Sequence, residues 1–325
     1  ILGAGAWGTA VAIYLSSQGH HVRLWCRDPQ QALNMQKMRT NQRYFPDFVL
    51  PQDVQVSADL EYCVMGADFV LIAVPSSAWI VMLKQLRALC DPAASQYLGW
   101  LTKGLTDDVN QPFLHQSMRS LLPLKNMGTM LSGPSFANEV AMGYPTGLCV
   151  TSEDPICRDA WQTLFASKTM RIYGSDDWVG VQCCAAMKNI LAVASGVVEG
   201  LGFGANTHSM LITRGLAETA RLVQMLGGQL ETCLGLAGVG DIVLTCTDNQ
   251  SRNRRLGYYL GQGLSIAQAK EKIGAAIESL ENVKRVKVLC DQHQIRMPIL
   301  NQVYALLIDG IDAQQACDAL LAGVQ

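Results

Sequence analysis

Lys188 is the residue of this sequence whose surroundings most call for a chemical explanation. It stands in Cys183-Cys184-Ala185-Ala186-Met187-Lys188-Asn189-Ile190-Leu191-Ala192-Val193-Ala194, where helical spacing puts apolar side chains on nearly every face. Burying an ammonium there is costly. Burial also lowers a lysine's pKa and suits the amine to proton transfer near neutral pH. The alternative is a lysine that lies along apolar surface with its head in water. Asp241, in Gly238-Val239-Gly240-Asp241-Ile242-Val243, is an acid set between glycines and an apolar run. It needs a partner, and Lys188 is a suitable one. Lys103 follows the strand-like run Tyr97 to Leu101, at the carboxyl end where open α/β sheets bind ligands, unless it is simply a surface lysine.

Two further patterns suit anions. Ser251-Arg252-Asn253-Arg254-Arg255 opens a predicted helix. Arginine presents a planar fork to phosphate oxygens, and the hydroxyl, amide and helix N-terminal donors beside it complete a pocket. A solvated basic face is the plainer reading. Gly3-Ala4-Gly5-Ala6-Trp7-Gly8 is G-x-G-x-x-G between an apolar strand end and a helix. Gly3 permits the tight turn, Gly5 lets a pyrophosphate approach the backbone, and Gly8 lets helix and strand pack closely. The context points to a dinucleotide. Arg27, about twenty residues on, favours the 2'-phosphate of NADP(H). If Arg27 is only solvated and Asp28 only caps the next helix, NAD(H) remains open. Ser132 to Ala137 ends another strand with small residues and backbone donors.

The elements that must position these residues change character along the chain. Through residue 175, short β-branched runs (22–26, 69–74, 97–101, 127–131, 147–151, 170–173) alternate with helical stretches, which reads as parallel α/β. From 176 to 325 helical periodicity takes over. The expectation is an α/β dinucleotide-binding domain at 1–175 and an all-α substrate-binding and catalytic domain at 176–325.

Composition narrows the partners. The 325 residues are 49% hydrophobic and 16% charged, which excludes disorder. Lys plus Arg number 25 against 27 Asp plus Glu, a net charge of -2, so there is no global field for nucleic acid or an anionic membrane. Charges such as Lys188 and Glu199 interrupt the most apolar regions, so no membrane span is expected. The 11 cysteines include no C-x-x-C pair, and most lie in apolar segments, as in a reducing, cytoplasmic compartment. The 5 histidines form no H-x-x-x-H, so no metal site is expected. The chain opens directly in strand-like Ile1-Leu2, and residues are expected upstream.

With these residues assembled, the chain resembles the bacterial NAD(P)-dependent glycerol-3-phosphate dehydrogenases along its length. The matching blocks are GAGAWGTA at Gly3, LTKGL at Leu101, SGPSFANEV at Ser132, AAMKNILAVASGVVEG at Ala185, GLAGVGDIVLTCT at Gly235 and SRNRRLG at Ser251. The resemblance implies a Rossmann-like N-terminal domain and an all-α C-terminal domain like that of 6-phosphogluconate dehydrogenases. It implies reversible reduction of dihydroxyacetone phosphate to sn-glycerol 3-phosphate for phospholipid biosynthesis, in a cytoplasmic homodimer. It makes Lys188 the proton donor and acceptor, with Lys103 and Asp241 in the same site. Gly133, Ser135, Ser251, Arg252 and Asn253 would hold substrate. Ala6, Trp7, Arg27, Lys103, Ala137, Arg252 and Glu278 would join Gly3, Gly5 and Gly8 around the nucleotide. Ala6 replaces a frequent Ser, and Ser279 a common Gly, which makes Glu278 the least secure transfer. A reductase of ketopantoate-like 2-oxo acids and a non-catalytic NADPH sensor are the rival readings.

Overall fold

The computed structural model describes residues 1–89, 96–122 and 128–322; Met127, predicted to start a strand, lies outside them. The chain divides into two compact units, Ile1–Thr102 with His115–Asp176, and Lys103–Leu114 with Asp177–Gln325. The last of the three crossings between the units, at Asp176–Asp177, falls next to the change of pattern near residue 175. What the pattern did not reveal is that Lys103–Leu114 belongs to the second unit. The reason is burial: Leu105 and Phe113 lie in the helical core.

The first unit runs α1 (Ala6–Ser17), β1 (Val22–Trp25), α2 (Pro29–Met38), β2 (Thr40–Asn41), β3 (Phe45–Val49), β4 (Val54–Ser57), α3 (Leu60–Val64), β5 (Phe69–Ile72), α4 (Trp79–Arg87), β6 (Tyr97–Trp100), α5 (Leu114–Leu121), β7 (Thr129–Ser132), α6 (Ala137–Ala141), β8 (Thr146–Thr151), α7 (Pro155–Phe165) and β9 (Met170–Ser175). β5 to β9 form a sheet in chain order, and β1 pairs with β4. Leu2 joins the two pieces by bridging in parallel to both Trp25 and Ile72. That is the dinucleotide-binding α/β arrangement expected, with one correction: β8 runs antiparallel to β7. The connection 133–145 holds only the five-residue α6, about 7.5 Å long, in place of a crossover helix of strand length. The β2–β3 hairpin and β4 escaped the sequence reading. They are two to five residues long, and Pro46 interrupts β3.

Apart from the irregular Lys103–Leu114, the second unit's described residues fold into helices joined by turns: α8 (Trp178–Gly200), α9 (Ala205–Met225), α10 (Leu230–Leu234), α11 (Asp241–Thr247), α12 (Arg252–Gly261), α13 (Ile266–Ile273), α14 (Ser279–Gln292), α15 (Pro298–Tyr304) and α16 (Ala313–Ala322). α8 is long and apolar enough to cross a membrane by length and composition, but 94% of its most apolar window is buried inside the protein. It is the central core helix, which explains its apolar character without a bilayer.

The approach of α12 to α8 places the site. A Cβ on Gly257 would lie 2.0 Å from the Val193 carbonyl oxygen, and one on Gly196 2.0 Å from that of Arg254. Small residues on both helices let the backbones meet, which brings the start of α12 beside Asn189. Gly257→Ala forces that contact apart, and overpacking of this kind costs about 1 to 3 kcal/mol. Denaturant unfolding should show that loss of stability in the variant.

Candidate active site

The residue pattern singled out three charged groups, and the fold brings all three together. Lys188 lies halfway along α8. Asp241 is the first residue of α11, following a distorted turn at Leu236–Gly240, and Lys103 sits on the irregular stretch after β6. The Asp241 carboxylate accepts from Lys188 Nζ at 2.6 Å and from Lys103 Nζ at 2.7 Å, one oxygen each. Thr245, one helical turn after Asp241, donates to the Asp241 carbonyl at 2.6 Å and accepts from Lys188 Nζ at 3.4 Å.

Burial dominates the electrostatics. Lys188 is 8% exposed and Asp241 1%. Burial lowers the Lys188 pKa to about 8; Asp241 opposes that shift and Lys103 reinforces it. For Asp241, burial alone would raise the carboxyl, but Lys103 and Lys188 together outweigh it and hold it below its ordinary value. Lys188 is therefore a buried amine poised near physiological pH, and not a side chain with its head in water. Cys246, close by on α11, is pushed by burial to about 12 and stays a thiol.

The basic cluster divides its labour. Arg252 is exposed at the start of α12, where Ser251 is the N-cap and accepts from Arg254 N at 3.2 Å. Arg254 turns inward to Glu199 and Asn249, so it serves packing. Asn253 is buried. It donates to Asn189 Oδ1 at 2.9 Å and accepts from Ser279 N at 3.1 Å. Asn189 in turn donates to Glu278 Oε2 at 3.0 Å. This relay ties Glu278, at the mouth of α14, to the residue beside Lys188. Asn189 and Thr245 were not foreseen as site residues. Their only signals were adjacency to Lys188 and the four-residue spacing from Asp241.

In the first unit, the glycine turn has the form its spacing predicts. Gly3 takes φ +128°, and a Cβ there would lie 2.6 Å from the Ala73 carbonyl oxygen. Gly8 falls inside α1, where a Cβ would meet Gly3 O at 1.9 Å. Gly5 is the N-cap of α1, with no side-chain cap and nothing within 4 Å of the Cβ position. Ala6 and Trp7 open the helix, where N–H groups have no intrahelical acceptor and no side chain caps them, the arrangement that suits a pyrophosphate. Arg27 is exposed just past β1, and Asp28 caps α2 by accepting from Gln30 N and Gln31 N. Gly133 takes φ +137° at the end of β7 and accepts from Ser135 Oγ at 3.0 Å, and Ala137 begins α6. The ten cysteines within the described residues are buried and form no disulfide with one another, and there no three His, Cys, Asp or Glu side chains converge to hold a metal.

Comparison with known proteins agrees across both units. Residues 1–157 match the family model for the N-terminus of NAD-dependent glycerol-3-phosphate dehydrogenase, and residues 177–318 the model for its C-terminus. The glycerol-3-phosphate dehydrogenase [NAD(P)+] of Legionella pneumophila (strain Paris) is 44% identical over 99% of this chain and 96% of its own length. That of Thioalkalivibrio sulfidiphilus is also 44% identical, over 99% and 96%. The crystal structure of glycerol-3-phosphate dehydrogenase from Coxiella burnetii, 41% identical, superposes with a TM-score of 0.94 over 98% of this chain and 97% of that one. A ketopantoate reductase from Ralstonia eutropha, 18% identical with a TM-score of 0.57, shares the fold.

The ion triad makes a prediction of its own. Asp241→Asn leaves two ammonium groups without their shared counter-ion. Breaking a buried pair in this way costs about 3 to 5 kcal/mol, and the Lys188 pKa falls further below about 8 because the opposing carboxylate is gone. Chemical denaturation and a lysine NMR titration of the variant check both.

Proposed function

Because the chain belongs to the NAD-dependent glycerol-3-phosphate dehydrogenase family, we propose that it reduces dihydroxyacetone phosphate reversibly to sn-glycerol 3-phosphate, using NADP(H) in preference and NAD(H) as an alternative. The observation that carries this reading is Lys188, buried against Asp241 with its pKa lowered to about 8. When bound, the nicotinamide nucleotide supplies the hydride to the substrate's C2 carbonyl and takes it back in the reverse direction. Lys188 as ammonium donates a proton to the C2 oxygen as negative charge develops there, and as amine accepts it in the reverse direction. Asp241 and Thr245 engage two of its donors and aim the third. Lys103 adds a second positive charge to the site.

The remaining assignments follow the chemistry of each position. Arg252, exposed and not folded into the core as Arg254 is, grips the phosphate, with the Ser251 hydroxyl proton and the second Asn253 amide N–H beside it. Binding energy from that distant phosphate positions the carbonyl. Gly133 and Ser135 contribute to substrate. Gly3, Gly5, Ala6, Trp7 and Gly8 hold the pyrophosphate, Arg27 the 2'-phosphate, and Lys103, Ala137, Arg252 and Glu278 the rest of the nucleotide. Open space at Gly5 and uncapped N–H groups at the start of α1 support the fit. The same reading makes the protein a cytoplasmic homodimer whose product feeds phospholipid synthesis.

Loss of NADPH absorbance with dihydroxyacetone phosphate, and none with ketopantoate, is the expected result. Lys188→Ala lowers kcat by roughly 10²- to 10⁴-fold with nucleotide binding retained. Near-normal turnover in the folded variant would remove this lysine from the chemistry. Reduction needs the ammonium, so its kcat/KM declines as pH rises through about 8, whereas oxidation needs the amine and its kcat/KM climbs through the same midpoint. Paired pH profiles in the two directions measure this.

Arg27→Ala weakens NADPH far more than NADH, because only NADPH carries the 2'-phosphate. Titration with both nucleotides checks it. Equal loss would assign Arg27 to a group they share.

A further inference from the structure

Lys103 reaches Asp241 from a stretch that is neither helix nor strand, so something else must hold it there. The stretch is folded on itself. Thr106 N donates to Pro112 O at 2.8 Å and Thr106 Oγ1 to Gln111 O at 2.7 Å, while Leu105 and Phe113 are sunk in the helical core. One side chain of α14 then grips it. Arg285 donates from Nε and Nη2 to the two carboxylate oxygens of Asp107, at 2.6 and 2.9 Å, and from Nη1 to the Leu105 carbonyl at 2.9 Å. The neighbouring cations do nothing comparable: Lys284 pairs with Glu281 and Lys287 with Asp291, both on their own helix.

We propose that Arg285 is a positioning residue for the reaction: by clamping Asp107 and the Leu105 carbonyl to α14, it holds the Lys103 ammonium on Asp241. This rests on the acid–base reading of Lys188 and extends it. Three bonds from one rigid guanidinium plane fix the orientation of the backbone two residues from Lys103, which a lysine or a single ion pair cannot do. The Arg285 side chain is 7% exposed and Asp107 79%. An ion pair with so exposed a partner contributes little to stability. Its consequence is geometric.

A displaced Lys103 has a specific signature. The ionisable groups acting on Lys188 are Asp241 and Lys103. Other groups around α8 are engaged elsewhere: Cys246 of α11 stays a neutral thiol, Glu278 of α14 meets Asn189, Arg254 of α12 meets Glu199, and from α9 Glu218 caps the start of α15 while His208 meets Ser195. When the Lys103 charge moves away, the Lys188 ammonium loses a like-charged neighbour and its pKa rises.

The test is an NMR titration of the full-length, nucleotide-free protein carrying ¹³C-labelled lysine, with the Lys188 signal identified by its loss in Lys188→Arg. Lys103→Met moves the Lys188 midpoint upward from about 8. Arg285→Ala moves it in the same direction, Arg285→Lys by less, and Lys284→Ala leaves it in place. Adding Arg285→Ala to Lys103→Met produces no further rise. Arg285→Ala also lowers kcat/KM for dihydroxyacetone phosphate on the order of 10- to 100-fold, the scale of a catalytic group displaced by about an ångström. Asp107→Asn, which alters an exposed side chain, is the second variant and gives a smaller rise. If the midpoint stays at its wild-type value in both folded variants, the positioning role is wrong. Because the titration uses no substrate, a shifted midpoint in a protein that fails to turn over dihydroxyacetone phosphate would instead overturn the proposed reaction and leave the clamp standing.

Discussion

One buried carboxylate holding two ammonium groups is the constraint on which the rest of this structure depends. At low local dielectric an unpaired lysine would lose its proton or refuse burial. Asp241 prevents both, and at 1% exposure it is itself tolerable only because Lys103 and Lys188 compensate it. The triad carries one more positive than negative charge. Burial, reinforced by Lys103, keeps Lys188 at about 8, and the two ammonium charges hold the Asp241 carboxyl below its ordinary value.

Several packing features exist to satisfy that constraint. α8 is apolar around Lys188 and so desolvates it, and as the central core helix it has the composition of a membrane span. The glycines of α8 and α12 admit the close approach that sets Asn253 against Asn189 and leaves Arg252 outside. The excursion Lys103–Leu114 leaves the α/β unit to deliver one lysine, and its apolar anchors Leu105 and Phe113 stabilise it there. Ion pairs elsewhere obey a different rule. Lys284–Glu281 is exposed at both ends and contributes little to stability or position.

The glycine turn of the first unit is set by backbone packing and not by charge. Gly3 and Gly8 are required by contacts of 2.6 and 1.9 Å that any side chain would violate, whereas the Cβ position of Gly5 meets nothing within 4 Å. The same motif thus contains two glycines fixed by packing and one that packing leaves free, a distinction invisible in the pattern G-x-G-x-x-G.

Sequence by itself determined the division into an α/β half and a helical half, because the periods of two and 3.6 are written in side-chain order. It also pointed to the glycine turn and to Lys188 and Asp241, because a charge among apolar residues is conspicuous without any coordinates. It missed β2, which is two residues long, β3, which Pro46 and Asp47 interrupt, and β4, where Gln55 and Ser57 dilute the apolar signal, and it read β8 as parallel because strand direction is set by the path of the connection and not by the strand. Only the tertiary structure decided that Lys103 belongs to the helical unit, that Arg254 is spent on Glu199 while Arg252 stays outside, and that Thr245, Asn189 and Arg285 matter. Those facts depend on which residues far apart in the chain come within about 3 Å of one another, and neither composition nor local spacing carries that information.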